Sequence, residues 1–142
     1  MKSILLTSIQ FLCIGWILYF NDWLVAGAVL MAVQLMGLVL GGWAIFVMSR
    51  SKLNVTPVPR KGASLVTSGP YYLIRHPMYT AVILALFPIL VNDASLSNSI
   101  VFGMLLINLL LKLHYEEKLL QEVFPKYSAL KSRTWRLIPW IY

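Results

Sequence analysis

Two long stretches of the chain carry no charged residue, Ile4 to Phe20 and Trp23 to Ser49, and two shorter apolar runs follow at Met78 to Val91 and Ile100 to Leu113. At about 1.5 Å per helical residue, each of the first two crosses most or all of a hydrocarbon core roughly 30 Å thick. Both predict transmembrane helices. Lys2 ahead of an apolar run also suits a signal peptide, but Gly15-Trp16-Ile17-Leu18-Tyr19-Phe20-Asn21-Asp22 offers no small-x-small cleavage site, so the first run reads as a permanent span. The shorter runs, about 21 Å each as helices, flank the turn-forming Asn92-Asp93-Ala94-Ser95 and predict a helical hairpin of short or tilted spans. Pro88 is expected to kink its first helix. The expected architecture is an all-α integral membrane helical bundle of about four transmembrane helices in one domain over 1–142. Spans fall near 4–20, 24–48, 78–91 and 97–113, with a cytosolic loop over 50–77 and a cytosolic tail over 114–142.

Composition agrees with a bilayer as solvent. The 142 residues are 59% hydrophobic and 12% charged, against about 45–50% and about 25% in soluble domains. A disordered chain and a disulfide-stapled secreted domain are both excluded, and the lone Cys13 allows no intrachain disulfide. All twelve Lys and Arg residues fall at Lys2, between Arg50 and Arg75, or between Lys112 and Arg136, whereas the other two turns hold the two aspartates, Asp22 and Asp93. The positive-inside bias then places both termini and the long loop in the cytoplasm. The net charge of +7 is one-sided, which suits topology and anionic headgroups. Compactness suggests a bacterial cytoplasmic membrane. No stacking platform accompanies the basic residues, so nucleic acid is not an expected partner. Gly37 and Gly41 form a GxxxG, read as helix packing, and no GxGxxG cofactor fingerprint occurs.

Two polar segments could carry chemistry. The first ends the central loop: Ser68-Gly69-Pro70-Tyr71-Tyr72-Leu73-Ile74-Arg75-His76-Pro77-Met78-Tyr79, with Pro77 suited to the first turn of a helix. Its plain structural reading is an interfacial aromatic belt with a snorkelling Arg75. The second is Lys112-Leu113-His114-Tyr115-Glu116-Glu117, where the fourth helix is expected to continue past the membrane as an amphipathic extension, with Lys112 and Glu116 on one face. Ionisable residues where a helix leaves lipid are candidates for function. His76 and His114 with the two glutamates lack any metal-ligand spacing, so no metal is expected. The tail from Phe124 to Trp140 mixes cationic, aromatic and apolar residues, as an interfacial segment or a lid would.

The set Leu65-Val66-Thr67-Ser68-Gly69-Pro70-Tyr71, Arg75-His76-Pro77-Met78-Tyr79, Glu116-Glu117 with Phe124 and Tyr127, then Arg133 and Pro139, resembles the isoprenylcysteine carboxyl methyltransferase family, which is related to the phospholipid methyltransferases. The resemblance covers about residues 50 to 142. It implies an integral-membrane enzyme that uses S-adenosylmethionine, releases S-adenosylhomocysteine, and holds the cofactor in a cytosol-facing pocket formed by the last two helices and their flanks. On that pattern Ala63, Ser64, Leu65 and Val66 line the cofactor, Tyr71 packs near it, His76, Pro77, Met78 and Tyr79 wrap its next side, and Glu116 engages its polar part. Lys112 stands where relatives commonly have an arginine near the methyl acceptor, and Arg133 matches a tail arginine associated with activity. The family's Phe-Gly reads Phe124-Pro125 here, and lysine lacks the arginine fork.

The residues themselves suit such a ligand. A sulfonium, an amino group, a carboxylate and an adenine together call for π faces, an acid and cationic or backbone donors, which Tyr71, Tyr79, Glu116, Arg75 and His76 supply. Methyl transfer demands alignment more than a dedicated nucleophile. A carboxylate acceptor would arrive ionised and need only positioning, by Arg133, Lys112 or Arg75. An amine or thiol would need a base such as His76 or Glu117. The expected activity is methylation of a lipid-like or isoprenoid-type acceptor, at a carboxylate. The alternatives are phospholipid amine N-methylation, or a non-catalytic membrane scaffold or sensor of the same fold.

Overall fold

A computed structural model describes residues 2–50 and 65–142. Among these residues five α-helices run in chain order: α1 Lys2–Phe20, α2 Ala28–Ser49, α3 Pro77–Asn92, α4 Leu96–Val123 and α5 Tyr127–Lys131. A 3₁₀ turn over Gly69–Tyr72 precedes α3. Among the described residues there is no strand beyond one isolated bridge, Ile74 to Trp135. The protein is an all-helical membrane bundle. Helices α1, α2 and α4 are long and apolar enough to cross a membrane, whereas α3 has 16 residues, about 24 Å of helix.

The bundle is two helix pairs, α2 with α3 and α1 with α4, joined by a thinner contact between α3 and α4. Polar side chains set the α1–α4 pairing. Asn21, just beyond α1, and Asn98, in the first turn of α4, exchange side-chain hydrogen bonds of 2.7 and 3.1 Å. Asn98 also donates to Asp93 Oδ2 at 2.9 Å. Further along, Asn108 donates to the Leu6 carbonyl at 2.9 Å and Lys112 to Gln10 at 3.0 Å. The end of α1 thus meets the start of α4, so the two helices run antiparallel.

Helix α2 begins at Ala28, later than the apolar pattern suggested, because the preceding backbone is used elsewhere. Gln34 donates to the Trp23 carbonyl at 2.8 Å and accepts from the Val25 amide at 3.4 Å, while Gly27 turns the chain at φ 98°. Gly37 brings α2 onto the α3 backbone: a Cβ there would lie 2.6 Å from the Ala85 nitrogen. Pro88 sits buried inside α3.

Buried apolar residues of α1, α3 and α4, among them Ile17, Leu86, Ile89, Leu105 and Leu109, form the main core, into which the tail inserts Leu137. Exposed Phe11, Leu12, Val39, Phe46 and Ile107 cover the outside, as a lipid-facing surface requires. Helix α4 continues for ten residues past Leu113 without a break. That extension carries Glu116 and Glu117 to the end of the bundle where the 3₁₀ turn and the tail gather.

Candidate functional site

The 3₁₀ turn is locked to α2 by a glycine. Gly69 has φ 59°, and a Cβ there would come within 2.9 Å of the Val47 side chain, so the chain can pass this close only as glycine. Pro70 follows, and Tyr71 is carried inward against Ala44 and Val66, with Met78 packed beside them. The chain then pairs with the tail. The Arg75 amide donates to the Trp135 carbonyl at 2.7 Å and the His76 amide to the Arg136 carbonyl at 3.1 Å, while Trp135 returns a bond to Leu73 at 3.0 Å. Pro77 opens α3 immediately afterwards, where its missing N–H costs nothing.

These constraints leave a cleft between the helix pairs, lined by residues of all five helices and of the 3₁₀ turn. Leu65, Val66, Tyr71, Arg75, His76, Pro77, Met78 and Tyr79 form one wall, and Lys112 and Glu116 the facing one. Every described residue singled out in the sequence for this site therefore lines it, except Arg133. Arg133 is exposed and outside the lining. Ala63 and Ser64 lie outside the described residues.

The two adjacent glutamates have separate surroundings. Glu116 faces the cleft beside the Tyr79 phenol, with its Oε2 3.8 Å from His76 Nδ1. Glu117 is the centre of an ion cluster behind the wall: Arg75 Nε at 2.9 Å, Arg136 Nη2 at 3.3 Å and His76 Nε2 at 3.5 Å. Arg75 also donates to the Lys131 carbonyl at 3.0 Å and to both the carbonyl and hydroxyl of Thr134. Its guanidinium is thereby committed to holding the tail onto α4, and what it presents to the cleft is a fixed edge. Arg136 is raised above the usual arginine range, since its hydrogen bond to Tyr142 and the charge of Glu117 outweigh burial.

The His76 ring lies parallel to Tyr79, 4° between planes and 5.4 Å between centroids, making a flat aromatic face. Among the described residues, two buried phenols of the lining have no hydrogen-bond partner: Tyr71 Oη and Tyr127 Oη. Burial, reinforced by Glu116, pushes the Tyr71 phenol well above its ordinary value. Burial and Glu117 do the same for Tyr127. Both phenols are neutral donors at physiological pH. Buried donors left open are uncommon, and here they converge on one cavity.

Sequence reasoning named Tyr127 only within the motif set, without a site role, and missed Gln10, Met48, Val82, Leu120 and Leu130; with these the lining is complete. Gln10 alone had a signal, as a polar residue inside an apolar run. The others are apolar and differ in sequence from no core residue. The anchoring role of Arg136 was also missed, because nothing in its local pattern distinguishes it from Arg133.

No curated protein and no solved structure matches the chain. The family model for phospholipid methyltransferases matches residues 23–127, from the turn before α2 to the start of α5. The match takes in the 3₁₀ turn, Arg75 to Tyr79 and the glutamate pair. The match is to the group that the motif resemblance gave as related and does not extend to the isoprenylcysteine carboxyl methyltransferases themselves; by it the chain belongs to the phospholipid methyltransferase family, a family of membrane methyltransferases.

Proposed function

We propose that the cleft binds S-adenosylmethionine and that the protein transfers its methyl group to a lipid-like acceptor arriving from the bilayer. The observation that carries this reading is convergence. Tyr71, His76, Tyr79 and Glu116 come from separate segments and would point apart if they served only as headgroup anchors, yet they line one cleft. Family membership supplies the reaction class.

The residues present fit such a cofactor. The paired His76–Tyr79 face and Tyr71 offer π surfaces for an adenine or a sulfonium. Among the described residues Glu116 is the one carboxylate of the lining, suited to a cationic amino or sulfonium group. The open Tyr71 and Tyr127 hydroxyls can bond the ligand's polar atoms. Leu65 and Val66 bring backbone outside any helix to the same cleft. Bound there, S-adenosylmethionine supplies an electrophilic methyl group. The chain's own contribution is to orient both ligands and exclude water, through a wall held rigid by Arg75, Glu117 and Arg136. Arg75 acts as a positioning residue, since its Nε and Nη1 donors go to Glu117, Lys131 and Thr134.

Placing the ion cluster, the tail and the mouth of the cleft on the cytoplasmic side follows from the basic residues gathered there. The test is calorimetric titration of the detergent-solubilised protein with S-adenosylhomocysteine, followed by transfer of labelled methyl into membrane lipid. Saturable binding and a labelled lipid are expected. No binding at millimolar ligand overturns the reading and leaves a non-catalytic scaffold of the same fold.

A further inference from the structure

Beyond Leu137 the tail closes into a hook. The Leu137 and Ile138 amides donate to the Tyr142 backbone oxygen at 2.9 and 3.0 Å, and the Tyr142 amide donates to the Ile138 carbonyl at 3.0 Å. Arg136 clamps it from the side, with Nη1 2.8 Å from Tyr142 Oη and the guanidinium 5.1 Å from the ring centre. The reversal passes through Trp140 at φ 64°, the one non-glycine residue with positive φ among those described. That backbone crowds the Cβ of an L residue against a carbonyl oxygen. It turns two large side chains outward, leaving Trp140 77% and Ile141 76% exposed. A strained turn that displays apolar side chains marks a surface that something else covers.

The depth of the hook follows from its attachments. The Leu137 carbonyl accepts from Thr80 in the first turn of α3 at 2.7 Å. The segment bonded to the tail ahead of α3, with Tyr72 and Leu73 exposed, is packed through Gly69 on Val47 in the last turn of α2. Hook and segment are thus level with helix ends, where a chain leaves hydrocarbon and Trp and Tyr settle. Cations accompany them. Lys126, Lys131 and Arg133 are exposed and enter no ion pair among the described residues, and residues 124–142 contain no Asp or Glu. Aromatic and apolar side chains beside uncompensated cations match the headgroup layer of an anionic leaflet.

We infer that the hook and the tail cations form a seat for anionic lipid, and that occupying the seat holds the cleft wall closed. The inner side of the same tail supplies Tyr127 and Leu130 to the cleft and receives Arg75 at Lys131 and Thr134. Trp140 and Ile141 grip the interface from the outer side, and Lys126, Lys131 and Arg133 select its charge. A surface that binds the clasped tail more tightly than a released one favours the clasp by that difference. The seat stands without the methyl-transfer reading; its effect on nucleoside binding rests on it. Helix α5 only begins where the family match ends, at residue 127, so the hook lies beyond the matched residues.

The test compares the full chain in nanodiscs of phosphatidylcholine alone and of phosphatidylcholine with one-third phosphatidylglycerol. Amide hydrogen exchange is followed at Arg75, His76, Trp135 and the hook. Exchange about tenfold or more slower in the anionic discs is expected, since each cation near such a surface is worth about fivefold. The double variant Lys131→Gln, Arg133→Gln should lose most of that difference. Trp140→Gly suits the left-handed backbone, so in neutral maltoside micelles its hook should stay as protected as wild type, while in anionic discs the tail protection should fall. Equal wild-type exchange in the two discs overturns the inference and leaves a protein partner as the cover, and so does a wild-type difference retained in both variants. S-adenosylhomocysteine titration in the same discs should show tighter binding with phosphatidylglycerol. Equal affinity overturns the coupling to the cleft. No nucleoside binding, with the exchange difference intact, sinks methyl transfer and leaves the seat.

Discussion

Glu116 and Glu117 are neighbours in the chain with opposite tasks, and substituting each should show it. Glu117 is nearly enclosed, its side chain 5% exposed, and it serves Arg75, Arg136 and His76 together. Glu117→Ala strands a buried guanidinium, so a loss of about 3–5 kcal/mol in unfolding stability is expected, the range for breaking a buried pair from one side. Added salt should mask little of it, because the Arg75 side chain is 6% exposed. Glu116→Ala should leave the thermal midpoint near wild type while weakening S-adenosylhomocysteine binding about tenfold or more. Thermal melts and calorimetry on the two variants check this, and an inverted pattern would show that the roles are exchanged. The sequence showed a Glu-Glu pair on a helical extension. The resemblance assigned the ligand to Glu116; local spacing alone does not separate the two, because which one faces the cleft depends on the rotation of α4 against α3.

At the scale of elements, the contact between α2 and α3 is set by a missing side chain. Gly37→Ala would place a methyl group 2.6 Å from the Ala85 nitrogen and 2.9 Å from the Ala81 carbonyl oxygen, so the helices must separate. A cost of about 1–3 kcal/mol is expected, as for overpacking elsewhere, with a drop in thermal midpoint. Gly42→Ala is the control, since a Cβ there meets nothing within 4 Å. Because α2 also carries Val47, against which Gly69 is packed, Gly37→Ala should loosen the 3₁₀ turn that seats Tyr71. Helices α1 to α4 were legible from apolar runs, and GxxxG marked the close face. The start of α2 was not, because Gln34 captures the Trp23 and Val25 backbone from two turns away.

For the whole molecule, the tail is the closing piece. It bonds the chain ahead of α3 through Trp135 and Arg136, puts Leu137 in the core, and accepts from Thr80 at 2.7 Å through the Leu137 carbonyl. Tyr127, at the start of the tail, and Tyr71, in the 3₁₀ turn, face the same cavity with phenols held neutral by burial. The folded protein therefore keeps protons that the unfolded chain releases near pH 10, the ordinary tyrosine value. Their contribution to stability is fully present below about pH 10 and is lost as the pH rises beyond it. Alkaline denaturation followed at 295 nm should show these two phenols ionising together with unfolding. Titration of either at its ordinary value in folded protein would show that the cavity is wetter than the packing implies.

By itself, the sequence determined the all-helical membrane class, because apolar runs without charge have few other stable states in lipid, where every backbone group must be bonded within the chain. It also determined which segments carry the polar chemistry, since Gly-Pro-Tyr, Arg-His-Pro and Glu-Glu stand out against so apolar a background. Tertiary structure decided what those residues do. Arg75 reads as a headgroup anchor or a catalytic cation until its guanidinium is seen spent on Glu117 and Thr134. Arg133 and Arg136 are alike in sequence, yet one is exposed and the other pairs with Glu117. Gln10 and Lys112 are 102 residues apart and become partners only when α1 lies antiparallel on α4. Periodicity records which residues prefer lipid or water, whereas partnership between polar groups depends on helix rotation and on distances across the bundle.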